Sequence, residues 1–120
     1  MLLVSLTALA AASGAFEEIG YFKDARRNRI FTVTVAAETP EADIKNFAAK
    51  KMNTKGQLTA VYFYLKAENN PGARVTTAGS VSEANSILDT APQYDYVFMR
   101  YLNGATEFAN CREAPDAGLC

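Results

Sequence analysis

The chain has 120 residues, 49% hydrophobic and 21% charged, with 12 Lys and Arg against 13 Asp and Glu. That length supports one domain, and the composition is that of a globular protein with a modest core. A net charge of −1 and the absence of histidine exclude a field that draws in nucleic acid or an anionic membrane, Ser-His-Asp and Cys-His dyads, and most transition-metal sites.

Residues 1–15, MLLVSLTALAAASGA, carry no charged side chain. An apolar run followed by small residues has the form of an export signal, with cleavage expected after Ala15. The run is too short to span a bilayer. No Lys or Arg precedes it, and the competing reading is a buried N-terminal helix or strand. Export implies a periplasmic or extracellular protein whose mature domain covers residues 16–120.

Residues 19–22 suggest a short strand or packing arm. The stretch KDARRNR, residues 23–29, is either a basic patch or a solvated turn between strands. Asp24 and Asn28 dilute its charge, which favours the turn. Residues 30–36 alternate Phe31, Val33 and Val35 with Thr32 and Thr34, the period of a half-buried strand. Thr39-Pro40 then predicts a helix start, with Glu41 and Asp43 complementing the positive end of the dipole. Ile44, Phe47, Ala48 and Met52 share one face at helical spacing. Lys50, Lys51 and Lys55 are either an anion site or a complement to the C-terminal end of the dipole, which already explains them, and Gly56 suits the stop.

Residues 58–65, LTAVYFYL, read as a strand that is apolar on both faces and therefore central. Strand, helix, strand predicts a right-handed crossover between parallel strands. Residues 66–77 read as a polar loop. Ser80-Val81-Ser82-Glu83 is a capping box opening a second helix, which Pro92 stops. In residues 94–111, Asn103-Gly104 predicts a hairpin with a two-residue type I′ turn. That register places Arg100 opposite Glu107, Met99 opposite Phe108 and Phe98 opposite Ala109.

Cys111 and Cys120 are expected to form a disulfide closing a C-terminal loop, 111–120. The loop-entropy contribution is roughly 2–3 kcal/mol. Two cysteines without histidine fall short of a zinc site, and no metal or cofactor is expected.

The fold class these elements imply is α+β: one domain, a mixed sheet of four or five strands, two helices packed on one face and a C-terminal β-hairpin. No catalytic motif stands out. Asp95, between Tyr94 and Tyr96, is the best single carboxylate, with a strand-entry role as its alternative. Tyr62, Tyr64, Tyr94, Tyr96 and Tyr101 fall on two strands that suit adjacent places in the sheet. They are either an aromatic interaction surface for a protein, peptide or glycan, or core residues with peripheral hydroxyls. The expectation is a small exported, non-catalytic binding or accessory module. The alternatives are an extracytoplasmic enzyme or inhibitor using carboxylates, and a homodimer joined through the aromatic face or the 105–110 edge.

Overall fold

Strand alternation and two helical connections account for the architecture. The structure, a computed structural model, describes residues 14–120. Residues 1–13, and with them nearly all of the expected export signal, lie outside the described residues. Five strands form one sheet in chain order: β1 (Phe16–Lys23), β2 (Arg29–Val35), β3 (Thr59–Tyr64), β4 (Tyr96–Arg100) and β5 (Thr106–Asn110). The β2–β3 pair is parallel and the other three pairs are antiparallel. The helices are α1 (Glu41–Ala49), α2 (Gly72–Thr76) and α3 (Val81–Thr90), with a 3-10 turn at Ala67–Asn69. The α+β class, the mixed sheet and the C-terminal hairpin are as the sequence predicts.

The helices do not share one face. On β2 and β3, Phe31, Val33, Val35, Val61 and Phe63 pack under Ile44 and Ala48 of α1. Ile30, Ala60, Tyr62 and Tyr64 face the other way, against Val75 of α2 and Ala84, Ile87 and Leu88 of α3. The reason lies in β3, whose six residues are all buried. A strand apolar on both sides needs cover on both sides, and each helical connection supplies one layer.

Several local expectations shift. Pro40, not Thr39, occupies the N-cap of α1, without a side-chain cap bond. The Thr39 hydroxyl instead donates to the Ala36 carbonyl. The helix stops at Ala49, short of the expected Gly56, and a separate turn follows at Thr54–Gln57 (Gln57 N–H to Thr54 O, 3.0 Å) with Gly56 at φ +83°. Met52 is consequently exposed rather than part of the apolar stripe. Within the stretch expected to be a polar loop, α2 drives Val75 fully into the core. Ser80 caps α3 as expected, its Oγ accepting from the Glu83 N–H.

The hairpin register differs by one residue. Tyr101 pairs with Ala105, and the Gly104 N–H donates to the Tyr101 carbonyl. Gly104 has φ +87° while Leu102 and Asn103 keep negative φ, which rules out type I′ and makes a three-residue loop with Gly at the left-handed position. Asn103 Oδ1 accepts from the Ala105 N–H, favouring this turn. Arg100 therefore lies opposite Thr106, Met99 opposite Glu107 and Phe98 opposite Phe108. The expected Arg100–Glu107 pair does not form, and Glu107 accepts from the Tyr101 hydroxyl at 2.6 Å.

At the other edge, β1 carries a bulge between Glu18 and Gly20. Phe16 and Tyr21 are five positions apart and would point to opposite faces of a regular strand. The bulge brings both to the α1 face, against Val35 and Phe31 respectively. Residues 24–28 form the expected turn: Asp24 accepts from the Arg26 and Asn28 backbone N–H groups. The Asn28 side chain also donates to it, which lowers its carboxyl below the usual range.

Candidate functional site

The expected cysteine pair is joined, with Cα atoms 5.6 Å apart. Cys111 is buried beside Leu119 and Cys120 in the α2/α3-side core. The Tyr94 hydroxyl donates to the Leu119 carbonyl, and the Gln93 amide donates to the Cys120 carbonyl. The Cys111 N–H donates to the Asp95 carbonyl, so the 111–120 loop is lashed to the entry of β4 at both ends.

The five tyrosines do not form one surface. Tyr62 and Tyr64 lie beneath α2 and α3, with the Tyr94 ring 4.7 Å from that of Tyr62. Tyr96 lies on the opposite face and stacks near Phe108. Tyr101 stands at the hairpin turn. Alternation separates Tyr96 from the others: it faces Phe63 across β3–β4, whereas Tyr62 faces Val97. Helices on both faces then bury Tyr62, Tyr64 and Tyr96. Burial first, then neighbouring tyrosines and Asp89, raises the pKa of Tyr62. Burial likewise raises Tyr64 and Tyr94, and the bond to Glu107 raises Tyr101. The Tyr64 hydroxyl is buried without a partner among the described residues. Asp95 serves the backbone, its Oδ2 accepting from the Leu65 N–H at 2.8 Å.

A well-formed depression lies elsewhere, on the α1 side where β1 begins. It is a groove of about 720 Å3 whose lining includes Phe16, Ala36, Pro40 and Phe47, with Glu38, Asp43 and Lys50 also on its walls. Phe16 and Phe47 stack with centroids 4.2 Å apart. Phe16 arrives there because β1 pairs it with Val35, and Phe47 because α1 turns its apolar stripe to the sheet. Glu38 adopts φ +70°, turning the chain sharply between β2 and α1. Sequence reading placed Phe47 on the apolar face of the helix but had no signal for the groove. Its walls come from three segments that meet only when β1 pairs with β2.

A second, smaller pocket lies at the other end of the same face, between residues 53–57 and the hairpin turn. Among the described residues no group of three His, Cys, Asp or Glu side chains is placed to hold a metal ion, and no helix is long and apolar enough to cross a membrane. No family model, curated protein or solved structure matches the chain.

Proposed function

We propose that this protein is a small exported binding or accessory module that works by recognition rather than by bond-making chemistry. The observation that carries the reading is the groove floored by the Phe16–Phe47 stack. Stacked aromatics beside a few polar groups are the usual composition of a recognition site. The groove walls offer Glu38, Asp43 and Lys50, and the chain has no histidine to act as a general base. Export is supported by the charge-free residues 1–15 and by the disulfide. Cleavage after Ala15 would leave Phe16 as the first residue, beside the groove. A homodimer is a second reading, favoured by β5. The bonds Tyr101 N–H to Ala105 O and Cys111 N–H to Asp95 O fix the alternation, so the Thr106 and Phe108 backbone groups point away from β4.

The test is a titration of the isotope-labelled, disulfide-intact chain with panels of peptides and oligosaccharides, read by amide resonances. A ligand that moves residues 36–43 and Phe47, and loses that effect in Phe47→Ser, supports the groove. Conversion of any ligand to product overturns the recognition reading, and shifts confined to other regions overturn the groove. Rotational correlation in the same samples decides the dimer, which a concentration-independent monomer excludes.

A further inference from the structure

The α1 face ends in a row of polar residues at the side away from the groove. Cross-strand pairing sets Arg29, Thr59 and Arg100 next to one another on β2, β3 and β4. Alternation turns all three to the face that carries Phe31, Val61 and Phe98. Arg29 is only 6% exposed and Thr59 1%. The Thr59 hydroxyl has no partner among the described residues. Among the described residues Arg29 donates only to neutral acceptors: the Tyr21 hydroxyl, the Arg27 carbonyl and the Thr54 hydroxyl. A guanidinium withdrawn from water without a counter-ion is costly, so this row lacks one negative charge.

The smaller pocket, about 350 Å3, opens beside that row. Its lining includes Asn53, Thr54, Lys55, Gln57, Arg100 and Asn103, and no carboxylate. Thr54 ties the two together, because it lines the pocket while its oxygen accepts from Arg29. The hydroxyl proton of Thr54 thus remains available to a ligand. Arg100 spends one N–H on the Ala49 carbonyl, 3.2 Å away. Carboxylates in the surroundings are engaged elsewhere. Glu18 pairs with Lys51, Asp24 is held in its own turn, and Glu107 accepts from Tyr101. Two cations, a row of hydroxyl and amide groups and no acid are the donor set that recognises a tetrahedral oxyanion.

We infer that this pocket, between residues 53–57 and the hairpin turn and backed by Arg29, Thr59 and Arg100, is a binding site for a phosphate or sulfate group. It does not depend on the groove at the opposite end of the face. The experiment titrates the full chain, disulfide intact, with inorganic phosphate, with inorganic sulfate, and with chloride at matched ionic strength. Saturable shifts of residues 53–57 and 100–104 are expected with phosphate or sulfate and not with chloride. The stronger of the two ions identifies the site as one for phosphorylated or for sulfated ligands. Arg100→Gln should weaken that ion by about tenfold or more, the range of a charge-assisted hydrogen bond. Lys55→Gln, at an exposed position that does not support the fold, should weaken it by about threefold. Shifts that follow chloride equally, or affinities unchanged in both variants, overturn the site.

Discussion

Phe63 and Tyr64 are adjacent on β3 and both fully buried, yet they belong to different cores. Phe63 lies among Val, Ile and Phe side chains and the ring of Tyr96 under α1, near the Phe16–Phe47 stack. Tyr64 lies under α2 and α3 with Tyr62, and its hydroxyl is unpartnered. The first core is apolar in its middle and leaves its depressions at the two ends of the face. The second buries phenols and is closed by the disulfide. Both depressions described above thus lie on the α1 side, and the disulfide loop closes the α2/α3 side.

The largest expected effect comes from emptying the apolar core. Phe63→Ala should cost about 3–5 kcal/mol through lost burial and the cavity left behind. Denaturant melting checks it, and a loss below about 1 kcal/mol would mean that α1 packs more loosely than the structure has it.

Next comes the close contact that seats α2. A Cβ added to Gly20 would stand 2.5 Å from the Gly72 Cα and 2.6 Å from the Gly72 carbonyl oxygen. Backbone cannot yield as a flexible side chain can, so Gly20→Ala should cost about 2 kcal/mol through overpacking. Hydrogen exchange should show the loss first in α2 and in the Tyr21 N–H, which donates to Thr76 Oγ1. Unchanged protection at both places would separate α2 from β1.

The smallest effect tests the phenols. Tyr64→Phe removes a buried hydroxyl that lacks a partner, and should be neutral or stabilising by up to about 1 kcal/mol. A clear destabilisation would reveal a bond to that hydroxyl. Alkaline pH probes the same core from the other direction. Burial raises the folded-state pKa of Tyr62 and Tyr64 above their ordinary value near 10. The unfolded chain therefore loses these protons first. Their contribution is whole below about pH 10 and is lost as pH climbs through the raised values. Ultraviolet titration should find tyrosines that ionise only as the protein unfolds.

Local patterns made much of the fold legible. The alternation at Phe31, Val33 and Val35, the two-sided hydrophobicity of β3, the capping box at Ser80 and the cysteine spacing each depend on neighbours in sequence. The turn at residues 24–28 was readable for the same reason, since Asp24 and Asn28 satisfy their own backbone. The tyrosine surface was not readable. Which face Tyr96 shares with Tyr62 depends on strand pairing, and whether either is exposed depends on where the helices land. Asn103-Gly104 announced a turn, but a single residue separates the type I′ loop from the three-residue loop. That choice lies in the φ of Asn103, which the dipeptide leaves open.

By itself, then, the sequence determined β2, β3, the helices after Pro40 and Ser80, the parallel crossover and the disulfide, because each follows from period, capping or spacing along the chain. Only the tertiary structure decided that the helices divide between two faces, that Gly20 meets Gly72, and that Arg29, Thr59 and Arg100 stand in one row. Those facts are set by register and by contacts between segments far apart in the chain. A one-residue change in pairing reverses every side chain it touches, and no local pattern carries that information.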